Sequence, residues 1–570
     1  MKQYIIPLLA LALLLGACTK DGADTAPESS PEQEEVVPED VTPSNPEAAN
    51  CGAGSYTFAS TGDKASEDDV SNTTFTRKIN ITYSAEGVSV EGDDNGIVTV
   101  DGQNVTVQNT GKEAIVYQLS GSASNGSFKL YSEKKQALLL DNLYLTCTDG
   151  AAINNQSGKR TFVMVEGTNV LSDASSALYT PTDAAEDMKA VFFSEGQLLV
   201  SGSGSLKVTA RNTVGKAAIA TDDYFRVLGN PTLTVSAGSS AGHGIRGKDY
   251  VQLSGGTLDV TVSAPMKKGI SSDDYVLVED GTHTVTVSGS AAWDEEDGEY
   301  SGTAGVKADN YFGMTGGTLT ITNTGNGGKG IHAGSYDFDP TDHAVADSYI
   351  SGGTLSITTK GTEVYDVSTK GIKIGWATKD GTGEHAKVTA NAGNLLISGG
   401  CITVSTGAGE GIEAKKDLTI SGGEIHVTSA KEDAINSQGE FSVTGGYIYA
   451  YSAGNDGMDA NGNMRISGGY VMAITTRGSP EVALDANTEE QKKLYISGTA
   501  VVVAYGGLER GYSASNPVKS MQVTAGSWNA LTSSSGEVIA AFKTPAGLSS
   551  VALLFSIILS VIVIAPPGTA

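Results

Sequence analysis

The chain is poor in several things that specific chemistries require. Only four cysteines occur in 570 residues, and after Cys18 the remaining three, Cys51, Cys147 and Cys401, are too widely spaced for a disulfide framework or a zinc motif. Six histidines at 243, 283, 332, 343, 385 and 426 show no ligand spacing, so they are read as surface or strand positions. Aromatics make up 6% of the chain, which argues for a slender core. Positive charge is also scarce, with 37 Lys and Arg against 65 Asp and Glu, so no field attracts phosphates and nucleic acid is excluded as a partner. No Gly-Lys-Ser/Thr closes a phosphate loop.

Glycine, by contrast, is abundant at 72 residues. A Ser/Thr-Gly-Gly step starts at Ser398, Ser421, Thr444 and Ser467, a constant spacing of 23 residues. Such a period marks a repeat that buries its apolar side only against its neighbours. An apolar anchor precedes the step by nine positions at Ile412, Ile435 and Met458, and Phe192, Ile245, Ile270 and Val306 extend the register upstream. Alternating runs of about five residues between glycine corners read as half-buried strands. The expected fold is all-β, a parallel β-helix solenoid over residues 52–545. Its equivalent residues would form files about 4.8 Å apart.

The ends read differently. Lys2, the apolar stretch Ile5 to Leu15 and Leu15-Gly16-Ala17-Cys18 look like a bacterial lipoprotein signal over 1–17, with lipidation at Cys18. The mature chain would be membrane-anchored in the cell envelope, at the outer membrane surface or in the periplasm, and Asp21 and Asp24 hint at the surface. Residues 18–51, rich in Pro and acids, form an unfolded tether. The tail 546–570 is apolar from Val551 to Ala565, short of the roughly 20 residues of a spanning helix. It reads as a last pair of buried strands, a membrane or sorting segment, or an altered chain end, the membrane reading ranking below the other two because a lipid anchor makes it redundant.

Two files flank the anchor. Two positions before it stand His243, Lys268, Ala304, Lys329, Lys370, Glu410, Asp433 and Asp456; one after it stand Arg246, Ser271, Lys307, His332, Lys373, Glu413, Asn436, Asp459 and Asp485. Both turn from mostly basic to acidic at the same repeat. Like carboxylates one strand apart repel by roughly 1 kcal/mol even in water, which calls for a neutralising partner. Glu410, Glu413, Asp433, Asn436, Asp456 and Asp459 are therefore candidate ligands of calcium, a cation suited to flexible oxygen donors. A solvated acidic face, with Lys415, Lys416 and Lys431 as partners, is the competing reading.

A further file, Tyr224, Tyr250, Tyr275 and Tyr311, lies five residues after the anchor with outward parity. It is either a strip for stacking sugars or a self-stacked support for the sheet. Excursions at 292–300, 337–347 and 376–392 carry Trp293 and Trp376, each either a sugar platform or a ring packed under its own loop.

Ile79-Asn80-Ile81-Thr82-Tyr83-Ser84, Val105-Thr106-Val107, Leu138-Leu139-Leu140-Asp141-Asn142-Leu143, Asp149-Gly150-Ala151-Ala152-Ile153, Lys-Gly-Ile at 268, 329 and 370, and the Ser/Thr-Gly-Gly steps together resemble a family of secreted bacterial carbohydrate-binding proteins. That family consists of right-handed parallel β-helices shaped like pectate lyases. The resemblance covers Lys78 to Lys543; the apolar tail departs from it. It implies binding of plant-type polysaccharide, cellulose or polygalacturonate, with calcium. Tyr224, Tyr250, Tyr275, Tyr311, Lys268, Lys329, Lys370 and Lys373 would contact sugar, the lysines as point charges for an acidic one.

The expected protein is a monomeric binder with no catalytic residue. Three alternatives stand beside it. One is a calcium-dependent polysaccharide lyase using Lys415, Lys431 or Arg465 as base. Another is a hydrolase using Asp433 and Asp456, disfavoured because acids on adjacent strands sit too close for an inverting pair. The last is a structural adhesin.

Overall fold

The computed structural model describes residues 51–62, 65–181, 183, 186–212, 216–335, 345–380, 387–523, 526–532, 538–544, 551–556 and 563–565. The expected signal 1–17, Cys18, the tether as far as residue 50, His343, His385 and most of the tail lie outside them.

Among the described residues the regular structure is β, apart from two short 3-10 turns, Val70–Asn72 and Thr488–Glu490. No helix of the described residues is long and apolar enough to cross a membrane. The strands join chiefly into a 30-stranded and a 14-stranded sheet. The anchors form one continuous parallel file in the smaller sheet: Phe192, Ile219, Ile245, Ile270, Val306, Ile331, Ile372, Ile412, Ile435 and Met458 pair in succession. All ten are buried within one core cluster that runs from Ile79 to Ala504. Each such side chain contributes roughly 1.5–3 kcal/mol by leaving water, so the file holds successive repeats in register.

Glycine is required at the corners for two separate reasons. At Gly422 an added Cβ would lie 2.3 Å from the carbonyl oxygen of Ser398 in the preceding repeat, whereas Gly423 adopts φ +92°. The first admits no side chain and the second favours none.

The expectation of an open right-handed parallel β-helix solenoid is corrected. The all-β class stands, but the parallel strands close around one core in barrel fashion and carry extra strands. Gly52–Tyr56 and Gly87–Glu91 pair antiparallel with Phe75–Ser84, and Val98–Asp101 pairs antiparallel with Asn104–Asn109. Val551–Ser556 in the apolar tail pairs antiparallel with Val501–Tyr505 and Val518–Val523. The physical reason is that a 23-residue period reports only how each repeat meets the next. It is silent on how outer strands satisfy their free N–H and C=O groups, which an open stack would leave exposed.

Candidate functional site

The smaller sheet carries both charged files in the expected register. Lys268 pairs with Ala304, Ala304 with Lys329, and Lys329 with Lys370. Beside them Lys307, His332, Lys373, Glu413, Asn436 and Asp459 follow in turn. Lysine therefore lines one stretch of the sheet and carboxylate the next.

Where the sign changes, the charges neutralise each other. Lys370 Nζ lies 2.6 Å from Glu410 and 2.7 Å from Glu413, and Lys415 also binds Glu413. Burial would raise the Glu413 carboxyl, but the two ammonium groups hold it down to about 2. The Lys370 ammonium is held above its ordinary value by the same pairing, against its own burial. Glu410 and Glu413 are thus occupied by lysines rather than free to hold a metal.

The rest of the lysine file has no such relief. Lys268, Lys329 and Lys373 form no ion pair among the described residues, and Lys329 is only 7% exposed. Burial, then repulsion from Lys307 and Lys267, pushes Lys268 down to about 7. Burial and the charges of Lys373 and Lys370 do the same to Lys329, also to about 7. Lys373 falls to about 8, chiefly by burial, against the opposing pull of Glu413. A buried ammonium without a counterion is unfavourable, so this stretch is suited to an anionic ligand.

The acidic stretch is the mirror case. Asp456, Asp459 and Asp485 each place a carboxylate oxygen within 4.8 Å of the others. Asn436 donates to Asp433 at 3.1 Å and to Asp459 at 2.7 Å, while the Asp456 N–H donates to Asp433 at 3.0 Å. Burial and the neighbouring acids push Asp433 and Asp485 up to about 8 and Asp459 well above its ordinary value. Asp456 rises to about 6, mainly by burial. No lysine or arginine pairs with these four among the described residues. Crowded carboxylates of this kind fit a hard, oxygen-seeking divalent cation. Asp187, Glu195 and Asp222 form another close acidic group, but Lys189 already binds Asp187 and lies 2.6 Å from Asp222.

Asp485 and, through its side-chain hydrogen bond with Asp485, Glu509 join this cluster, and neither is among the ligand candidates that the sequence offers. They follow Leu484 and Leu508, which continue the anchor file from Met458. The step from Asp459 to Asp485 is 26 residues rather than 23, because the turn before Val482 enlarges that repeat.

Tyr250 and Tyr275 open strands of the larger sheet and Tyr224 and Tyr311 immediately precede strands of it, so the row does not stand beside the lysines. Their rings stack on one another at centroid distances of 4.5, 4.7 and 4.9 Å, and Tyr349 extends the row at 6.1 Å. The first hydroxyl is engaged as well: Arg160 donates to Tyr224 Oη at 2.8 Å, and Tyr224 donates to Asp68 at 2.7 Å. No sugar ring fits between faces this close, which leaves ring edges and the outer hydroxyls. Two of the three lyase-base candidates are also engaged, Lys415 by Glu413 and Arg465 by the Tyr495 ring at 4.4 Å. Lys431 sits beside Glu432.

Outward positions of the longer sheet carry a pattern that the repeat register concealed. Over the paired strand segments that start at Thr232, Thr257, Thr282, Thr318, Thr354 and Cys401, sixteen of eighteen outward residues are Ser or Thr, the exceptions being Asp259 and Cys401. The result is a nearly uncharged hydroxyl face on a chain of net charge −28.

Comparison with known proteins adds the family. The sequence pattern of the carbohydrate-binding domain-containing proteins matches residues 101–263, 211–453 and 380–536, which together cover 101–536. No curated protein matches the chain. A solved structure of the polysaccharide lyase-like protein from C. thermocellum, a gadolinium derivative, is similar over 45% of this chain and 94% of that one, at 20% identity and a TM-score of 0.35. With its match extending across well over half of its length, the chain belongs to the carbohydrate-binding domain-containing protein family.

Proposed function

We propose that the protein is a lipid-anchored component of the cell envelope that holds polysaccharide without cleaving it, as a monomer with the lysine stretch as its contact surface. The observation that carries this reading is the buried, unpaired Lys329 in a file with Lys268 and Lys370, beside Lys373 of the neighbouring file, in a chain whose family binds carbohydrate. Uronate carboxylates supply the counterions that the file lacks, so an acidic plant-type polymer is the preferred ligand. The tyrosine row supports the sheet and offers sugar only its edges and hydroxyls.

Calcium would be held by Asp456, Asp459 and Asp485, with Asp433 and Asn436 behind them. When bound, it neutralises the carboxylates and can bridge to an acidic sugar. Lys370 and Lys415 take its place at Glu410 and Glu413.

One observation favours a lyase as the second reading: an amine that deprotonates near neutrality, as at Lys268 and Lys329, can act as a base. Incubation with polygalacturonate, with and without calcium, separates the two. Retention on the polymer with constant ultraviolet absorbance supports binding, and rising absorbance from unsaturated sugar ends supports the lyase. Absence of both contradicts the uronate reading.

A further inference from the structure

Three aromatic rings outside the charged files meet at one exposed place. Trp293 and Tyr300 face each other across the antiparallel pair Ala292–Asp294 and Glu299–Ser301, with centroids 5.2 Å apart in an edge-to-face arrangement. Tyr300 also stacks at 4.2 Å on Tyr365, which arrives from the turn between Val364 and Val367. Trp293, Tyr300 and Tyr365 remain 50%, 40% and 57% exposed, so the contact does not hide them.

The chain builds this junction at some cost. Tyr365 and Asp366 both adopt left-handed backbone angles, φ 53° and 60°, within the turn closed by Val364 and Val367. Residues other than glycine seldom do so without a compensating contact. Val367 is seated against Gly302 and Gly327, where an added Cβ would meet its Cγ1 at 2.9 Å in either case. At the foot of the hairpin, Lys268 Nζ donates to Met266 O at 2.6 Å and to Ser301 Oγ at 3.4 Å.

The charge around the rings selects the ligand. Asp294, Glu295, Glu296, Asp297 and Glu299 crowd the hairpin, and none forms an ion pair among the described residues. They repel an anionic sugar but can accept hydrogen bonds from sugar hydroxyls, while apolar C–H faces of a pyranose pack on aromatic rings. We propose that Trp293, Tyr300 and Tyr365 form a separate saccharide subsite that seats a pyranose carrying no acidic group, with Asp294 and Glu299 as hydroxyl acceptors. This subsite rests on the carbohydrate-binding reading but not on the lysine file, and it lets one chain hold uncharged and acidic sugar units at different places.

The test is tryptophan emission of the full chain titrated with cellohexaose, xylohexaose, mannohexaose and hexagalacturonate. At least one uncharged hexamer is expected to give a saturable blue shift. Binding of that hexamer, read by titration calorimetry because the substitution removes the reporting ring, is lost in Trp293→Ala, and affinity falls roughly tenfold in Tyr365→Ala, a loss in the range of one contact residue. Trp293→Tyr is expected to retain calorimetric binding, and all three variants are expected to keep cooperative unfolding and retention on polygalacturonate. Uncharged hexamers that bind the alanine variants as they bind wild type, or hexagalacturonate acting through Trp293, would overturn the subsite alone. A wild-type chain that binds none of the four sugars, or retention on polygalacturonate alone, would also overturn it; the former result counts against the carbohydrate-binding reading too.

Discussion

Lys370 Nζ lies 2.7 Å from Glu413 Oε2 on the adjacent strand, and this pair marks the point where the lysine stretch gives way to the acidic one. Both side chains are buried, so neither charge can be left alone. Glu413→Gln leaves the Lys370 and Lys415 charges without their shared partner and should cost about 3–5 kcal/mol in denaturant unfolding. Combining it with Lys370→Met should recover much of that loss. Equal destabilisation in the single and double variants would contradict this account of the junction.

The acidic cluster predicts a calcium effect that grows with pH. Asp433, Asp456 and Asp485 have folded values of about 8, 6 and 8 against an ordinary 3.8. Groups raised on folding stabilise the metal-free protein at low pH, and that stability is lost as pH rises through 6 to 8. Calcium should raise the melting temperature little at pH 5 and clearly at pH 8, and Asp456→Asn with Asp459→Asn should abolish the difference. A calcium shift independent of pH, or one that survives both substitutions, counts against the cluster.

The lysine stretch predicts the opposite dependence for ligand. Lys268 and Lys329 lose their protons near 7 and Lys373 near 8, so their attraction for a carboxylate fades as pH rises through that range. Affinity for polygalacturonate, measured by titration calorimetry in chelator to remove any calcium bridge, should fall between pH 6 and pH 9. Stability follows a different course: amines depressed on folding stabilise the protein above about 10.5, their ordinary value, and that contribution is lost as pH falls through 8 to 7.

Self-stacked tyrosines should matter for stability rather than for binding. Tyr250 is held between Tyr224 and Tyr275 at 4.5 and 4.7 Å. Tyr250→Ala should lower unfolding free energy by about 1–3 kcal/mol, while Tyr250→Phe, which keeps the faces, should cost less than about 1 kcal/mol. Loss of polysaccharide affinity in the alanine variant with unchanged stability would contradict the supporting role.

Much of this was legible in the residues, for a physical reason. Ile412, Ile435 and Met458 pair because stacked strands impose a common register, and a constant 23-residue step exposes it. The same register placed Lys329 beside Lys370 and Asn436 beside Asp459. What it could not carry was side-chain direction: Glu410 and Glu413 belong to the acidic file, yet turn to Lys370. Nor could it reach contacts between an excursion and a turn, such as Tyr300 on Tyr365, or the antiparallel strands that correct the open solenoid. Those depend on loops and ends, where no repeat constrains the chain.

The most direct test of the central claim is hydrogen–deuterium exchange of the calcium-loaded protein with and without polygalacturonate. Added protection is expected across Lys268–Ser272, Lys329–Ala333 and Lys370–Ile374. Protection confined to the hydroxyl face, over Thr318–Asn323 and Thr354–Thr359, would contradict it and move the binding surface to the other sheet.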